Sequence, residues 1–333
     1  MTVKHKYGYF INPIIYYLWR RYFIKTRMMN KRDKLGYYKR GWGDRYDGWR
    51  VKNVDAVFSV IPYFLRTRMD AQNYFEERVP IDHIEQFIKE HKEDIPDLSI
   101  MHVVMAALVR LYSQRPHLNR FVMWNKIFAR NYLNFSIVVK RSLSDNGEET
   151  LIKPDFSPTD TLLDIVRKTK TEQENNQQAG QQNNSDLISK IMGYLPDFVM
   201  RIVVFLLFWL DKVGLMPRII EKASPWHCSV FLTNIGSIGV ESIYHHLYEF
   251  GTCSMFVAMG KKSRRHAINK HGEMTVYKSI LLKFVMDERI CDGFYYASSM
   301  RMLNKILADP RALLSPPENV VVDDGVRRKR IDI

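Results

Sequence analysis

Cysteine is scarce: Cys228, Cys253 and Cys291 are the three thiols in 333 residues. Three cysteines cannot build a disulfide framework and no C-x-x-C pair offers a zinc site, so a reducing cytoplasm is the expected setting. No G-x-G-x-x-G and no Walker loop occurs, and the nucleotide-binding folds that need a glycine cradle lose support. Acidic residues are short in number, 36 against 50 basic ones, for a formal charge of +14. What remains is a globular composition: 46% apolar, 26% charged and 13% aromatic. That is enough to bury a real core in one large domain or two ordinary ones.

The excess charge is concentrated. Residues 1–52 hold fourteen Lys and Arg against Asp33, Asp44 and Asp47, a balance of +11 that leaves about +3 for the body. These residues read as a basic, aromatic N-terminal arm in front of one domain over 53–333. Within 7–25, YGYFINPIIYYLWRRYFIK, rings and aliphatics precede Arg20, Arg21 and Lys25. No uncharged run in it reaches the ~18 residues of a span, and no small-residue cleavage site follows the apolar part. An interfacial segment has this pattern, with rings at the headgroups and cations on anionic lipid. The alternative is an arm folded back onto the body or onto a neighbouring subunit. The next stretch, LGYYKRGWGDRYDGWR (35–50), interleaves Tyr, Trp, Gly and Arg. Such rings stack on single-stranded nucleic acid, but no RNA-binding motif accompanies them, and nucleic acid is disfavoured as a partner.

Along the body, Ile81, Ile84, Phe87 and Ile88 at helical spacing predict a helix over 81–93. Ser99 caps a second over 100–114, apolar almost all round and therefore buried, which Pro116 ends. Segments 121–129 and 133–141 read as strands, followed by a turn at Asp145-Asn146-Gly147. A helix runs from Thr159-Asp160 to about Lys170, and the Gln/Asn-rich tract 172–186 reads as a loop. The nine apolar residues Ile202–Leu210 are bounded by Arg201 and Asp211. Extended to 198–216 the segment approaches spanning length, but with charges inside it, so a buried or interfacial helix is expected. Segments 227–236, 251–262 and 274–288 read as strands and 293–310 as a helix. Their irregular alternation predicts a mixed α+β sandwich rather than a doubly wound sheet.

The C-terminal third carries three ordered elements: the strand SVFLTNIGSIGV (229–240), the strand CSMFVAMGKKSRR (253–265), and the strand, turn and helix of VMDERICDGFYYASSMRMLNKILADP (285–310). This order resembles the chloramphenicol acetyltransferase-like superfamily, and most of all the catalytic domain of 2-oxoacid dehydrogenase dihydrolipoyl acyltransferases. TNIGSIGV is similar to that family's S-N-L-G-x-x-G segment and DERICDG to its D-H-R-x-x-D-G. Upstream, AALVRLYSQRPHLNRF (106–121) resembles the family helix that ends in Pro-x-Leu-Asn. The likeness spans about 53–310, with 172–225 departing from it as an insertion. It implies a mixed-sheet sandwich flanked by helices, assembled as a homotrimer with active sites between subunits. It also implies acyl transfer involving a coenzyme A thioester. In such sites a His takes a proton as general base and a Ser or Thr hydroxyl supports the oxyanion.

Here the His position of the motif is Glu288. By the resemblance, Thr233 supplies the oxyanion hydroxyl, Ser229 and Asn234 stand by as substrate-binding alternatives, and Asp292 and Gly293 hold the turn. Arg50, Arg66 or Arg68 would pair with Asp292, and FLRTRM (64–69) would match the first family strand region. A carboxylate of ordinary pKa is a weak base toward a thiol. Burial would raise it and a pair with Arg289 would lower it. The expected function is a stand-alone acyltransferase passing an acyl group from a CoA thioester to a small-molecule or lipid acceptor; the alternative is an inactive or repurposed trimeric scaffold. No lipoyl group is expected, since residues 1–52 are too few and too aromatic for a lipoyl domain, and no metal, since no His/Cys/carboxylate cluster has ligand spacing. His102 and His117 read as structural, His227, His245 and His246 as surface or capping residues, and Cys291 as packing. The expected location is cytoplasmic, with 7–25 and 198–216 allowing peripheral contact at the inner face of the membrane.

Overall fold

A computed structural model describes residues 34–140, 149–178, 193–268, 271–328 and 330–331. The 7–25 segment and the Asp145-Asn146-Gly147 turn lie outside them. The spine is β11 (Met274–Asp287). β9 (Met255–Met259) and β10 (Ser263–Ile268) line one of its edges in succession, and β2 (Gln72–Pro80) pairs antiparallel along the other. From β9 the sheet continues through β8 (Val230–Asn234) and β5 (Leu133–Lys140), both joined in parallel, to β6 (Glu149–Ile152). The short β7 (Asp155–Phe156) pairs with the start of β5. A separate three-stranded antiparallel sheet runs β1 (Gly48–Arg50), β4 (Lys126–Arg130), β3 (Arg120–Met123).

Helices cover one face of the large sheet. The central one, α3 (Ile100–Gln114), starts where the Ser99 hydroxyl accepts from the His102 N–H, and it stops before Pro116. Val103, Val104, Met105, Ala107, Leu108, Val109 and Leu111 are wholly buried, as the apolar pattern all round the helix requires. Around it pack α2 (Asp82–Glu90), α4 (Leu162–Gln178) and α7 (Gly293–Ala308), which share a core with the inward rows of β8, β9 and β11. The opposite face carries a small cluster, Cys228, Phe231, Leu247, Cys253, Phe256 and Val285. The helices α1 (Ala56–Phe64), α5 (Asp197–Lys212) and α6 (Arg218–Ala223) complete the set among the described residues.

Several sequence expectations are corrected. The 35–50 stretch is not an arm: β1 pairs with β4, and Tyr38, Tyr46, Trp49 and Val51 are buried, Trp49 meeting Tyr38 edge-on at 5.2 Å. A boundary at 52 therefore cuts through the body, and most of these rings have no free face for a base. Segment 121–129 is a hairpin turning at Trp124-Asn125 rather than one strand. Residues 172–178 extend α4, because Gln and Asn on its solvent side are tolerated once the apolar start is anchored. FLRTRM is the turn between α1 and β2, not a strand.

A buried ionic network ties the N-terminal segment to α5. The Arg45 guanidinium donates to both Asp47 oxygens (2.7 and 3.0 Å) and to Asp211 Oδ1 (2.9 Å), and His227 Nε2 lies 3.2 Å from Asp211 Oδ2. His227 is thus a fully buried partner, not a surface residue. Arg45→Met would leave Asp47 and Asp211 buried without their cation, and we expect a loss of about 3–5 kcal/mol in urea unfolding. Burial pushes the Asp211 carboxyl up, but His227 and Arg45 outweigh it and hold it below the usual carboxylate range. Its contribution is full above the ordinary aspartate pKa of about 4 and fades as pH falls below it. Asp211→Asn should flatten the acid limb of stability against pH; an unchanged limb would assign that limb to other groups.

Candidate active site

Strand alternation separates the candidate residues on β8. Leu232 belongs to the helix-side core and Phe231 to the cluster on the other face. Thr233 therefore shares the helix-free face with Phe231, and Asn234 turns back to the helix side. In register, Thr233 lies beside Ala258, which lies beside Lys283, so a hydroxyl and an ammonium flank one small side chain on that face. The Lys283 Nζ sits 4.6 Å above the Tyr244 ring. Ser229 is buried and occupied: its hydroxyl accepts from the Asn134 N–H at 3.3 Å and its own N–H donates to the Asn134 carbonyl at 3.0 Å. It cannot serve a substrate without breaking the join to β5.

Asn234 instead lines a cavity of about 800 Å³ between the N-terminus of α3, the helix α2 and the ends of β8 and β9. Its rim carries Lys89, Lys262 and Lys278 with Asp82 and Glu85. Glu85 holds two of these cations, Lys262 at 2.6 Å and Lys278 at 2.7 Å. Gly236, in the turn after β8, is fixed by a close approach: a Cβ there would stand 2.3 Å from the Gly260 carbonyl oxygen. The glycine of TNIG is thus required by the crossing of two backbones.

At the other end of the sheet, β11 finishes in a clamp. The buried Asp287 accepts from Arg289 Nε at 2.8 Å and Nη2 at 2.7 Å, and Arg289 Nη1 donates to the Leu65 carbonyl at 3.1 Å. The Tyr296 hydroxyl closes on the Asp287 carbonyl at 2.5 Å, and the Glu288 N–H donates to the Ala71 carbonyl at 2.9 Å. The turn is held by its backbone and its neighbours. The Glu288 side chain is half-buried and has no hydrogen bond or ion pair among the described residues. Arg289, which adjacency offered as its partner, is taken by Asp287. Burial pushes the Cys291 thiol up to about 12, so it packs as a thiol rather than acting as a nucleophile.

The expected ion pair of Asp292 is corrected. Asp292 is exposed and caps α7, accepting from the Tyr295 N–H at 2.6 Å. Arg50 lies on β1 with its guanidinium 5.6 Å from the Phe128 ring centre. Arg68 spends its donors on the carbonyls of Val122, Tyr248 and Glu249, and Arg66 is exposed. No arginine pairs with Asp292 among the described residues. A Cβ on Gly293 would meet nothing within 4 Å, so the chain's own packing does not explain that glycine.

Sequence spacing also missed one cluster. His117 Nε2 lies 3.2 Å from Asp324 and 3.8 Å from Asp323, brought together by the C-terminal segment. Asp323 already accepts twice from Arg120, at 2.6 Å each, so this is an ion-pair network more than an open ligand set. The residues are some two hundred positions apart, which no local motif reports.

Thr233 and Glu288 do not meet within one chain. Thr233 is level with Lys283, five residues before Glu288 and two strands away, which separates them by roughly 15–20 Å.

The architecture is the chloramphenicol acetyltransferase-like α+β fold that the motifs implied. No family model and no curated protein matches the sequence. Among solved structures, the cubic core of the pyruvate dehydrogenase multienzyme complex superposes with a TM-score of 0.50 at 12% identity, over 78% of this chain and 89% of that one. A probable dihydrolipoamide acetyltransferase from Listeria monocytogenes 4b F2365 gives 0.48 at 12% identity, over 77% and 92%. A chloramphenicol acetyltransferase gives 0.43 at 11% identity, over 74% and 92%. At 12% identity the likeness to the cubic core is one of fold.

Because Gly236 faces backbone rather than a flexible side chain, Gly236→Ala must push β8 and β9 apart. We expect destabilisation by about 1–3 kcal/mol in urea unfolding, whereas Gly293→Ala, with open space around it, should leave stability within about 0.5 kcal/mol.

Proposed function

We propose that this chain is an acyltransferase that works as a homotrimer, passing an acyl group from a coenzyme A thioester to a small-molecule or lipid acceptor. The observation that carries the reading is the unspent Glu288 carboxylate on a turn otherwise locked by Asp287 and Arg289. Its separation from Thr233 within one chain supports a site completed by a neighbouring copy, with Glu288 from one subunit and Thr233 from the next. The cavity beside Asn234 is of a size for a pantetheine arm, and the N-terminus of α3 with Lys89 on its rim favours phosphate there.

In this reading Glu288 takes the proton from the acceptor's hydroxyl or thiol as that atom attacks the thioester carbonyl. The Thr233 hydroxyl hydrogen-bonds the oxyanion of the tetrahedral intermediate. Collapse breaks the carbon–sulfur bond, and the leaving thiolate takes the proton back from Glu288, so the enzyme is unchanged. A second reading, a trimeric scaffold without catalysis, is favoured by the missing ion pair at Asp292. The two readings separate on one experiment. Thiol release from acetyl- or longer acyl-CoA should fall about 10²–10⁴-fold in Glu288→Gln and in Thr233→Ala. Co-expressing the two variants should restore part of the activity, because some subunit boundaries then pair an intact Glu288 with an intact Thr233. Release that is unaffected by Glu288→Gln, or no recovery on mixing, would remove the shared site; no release from the unaltered protein would favour the scaffold.

A further inference from the structure

The burial of α5 is inverted. Its buried residue is Asp211, while Phe198 and Phe205 are each 68% exposed, Ile202 55% and Trp209 50%. At about 100° per residue, these four fall on one stripe, with Arg201 and Lys212 along its edge and Asp211 on the opposite side. The orientation is fixed from within. Asp211 is bonded to Arg45 and His227, and Phe208 packs against Phe250 with ring centres 5.1 Å apart. Rotating the helix to bury its stripe would carry Asp211 into water and leave Arg45 and His227 without it. The apolar side is therefore held outward by an ionic network facing inward.

A second element borders the same region. The β3–β4 hairpin turns at Trp124 and Asn125, with φ of 48° and 57°. A left-handed backbone is unfavourable for so bulky a residue, yet Trp124 is 62% exposed and has no ring partner among the described residues. Trp124, Phe208, Lys212 and Arg66 line one cavity of about 380 Å³, so the hairpin tip and the C-terminal end of α5 share a surface. Arg66 and Lys212 make no ion pair among the described residues. The exposed acids nearby are Asp70, Asp197 at the far end of α5, and Glu249, which lines the same cavity and accepts from the Arg68 N–H at 2.7 Å.

Outward aromatic rings bordered by uncommitted cations match the interface of an anionic bilayer: rings at the acyl boundary and cations on headgroup phosphates. The thirty-three residues before Lys34 add eight Lys and Arg against Asp33. We propose that α5 and the Trp124 hairpin form a docking face for an anionic membrane surface. Phe205, Trp209 and Trp124 enter the boundary, while Arg66, Arg201 and Lys212 meet phosphate. Among the described residues no helix is long and apolar enough to cross a membrane, so the contact is peripheral. This inference stands apart from acyl transfer.

Sedimentation of the full chain with vesicles tests it. The protein should pellet with phosphatidylcholine vesicles containing phosphatidylglycerol, less with phosphatidylcholine alone, and less in high salt. Phe205→Glu with Trp209→Glu should weaken binding about tenfold or more. Trp124→Gly, which relieves the turn, should weaken it by less, and Arg66→Gln with Lys212→Gln should reduce the salt dependence. Circular dichroism melting identifies variants that keep the fold. Absence of binding by the unaltered protein, or folded variants that bind as well as it does, would overturn the proposal. So would a change in the sedimentation coefficient of the lipid-free Phe205→Glu/Trp209→Glu protein without a change in vesicle binding, since the stripe would then be a contact between copies.

Discussion

A large sheet whose core helices sit on one face has to finish its other face by other means, and the rest of this molecule follows from that constraint. The helices α2, α3, α4 and α7 fill one side so completely that the central helix buries residues on every flank. The opposite side carries a cluster of six buried apolar side chains, one of them Leu247 from a covering segment. Exposed Tyr74 and Tyr244 pack on each other there instead of against a helix. A half-covered face is where a second copy gains most by association, since apolar area removed from water scales the gain. Thr233 looks out of that same face. The geometry that would drive assembly and the geometry that would place a hydroxyl at a shared site are one feature.

In the proposed site, a glutamate where the resembled family carries an imidazole changes more than basicity. An imidazole can be neutral and still accept a proton, whereas a carboxylate must enter the site as an anion and be kept from a permanent partner. The chain meets the second condition through its neighbours: Asp287 occupies both arms of Arg289, leaving Glu288 free of it. In the proposed trimer a neighbouring subunit would cover this turn and exclude water from the carboxylate. Coverage of this turn, not the residue alone, decides which of the two readings holds.

The C-terminal third was legible in the sequence because its signals are local. TNIG, DERICDG and the helix capped by Asp292 are short contiguous segments, and Gly236 has a steric reason visible in the backbone crossing. The helix Ile100–Gln114 was legible because Ser99 and Pro116 bracket it. Strand β2 was not, because Glu76, Glu77 and Arg78 place charge on both of its faces and no alternation survives. Segment 35–50 misled for a different reason: its cations pointed to a solvated arm, but Arg45 is neutralised by Asp47 and by Asp211, far along the chain. The Arg sought for Asp292 could not be read at all. The pairing that locks the turn is Arg289 with Asp287, two residues apart, and nothing in the motif distinguishes one aspartate from the other.

The same long-range pairing explains why an apolar helix can remain outside. Hydrophobic patterning alone would turn Phe198, Ile202, Phe205 and Trp209 inward, because burial of such side chains stabilises by about 1.5–3 kcal/mol each. That gain requires a matching apolar surface beneath the helix. What lies beneath the end of α5 is Arg45 and His227, and breaking a buried ionic network by removing one member costs about as much as one or two buried rings return. The helix therefore settles with its charge in and its rings out. The stripe holds that position because turning it inward would break the network around Asp211, which leaves apolar area available to whatever surface approaches.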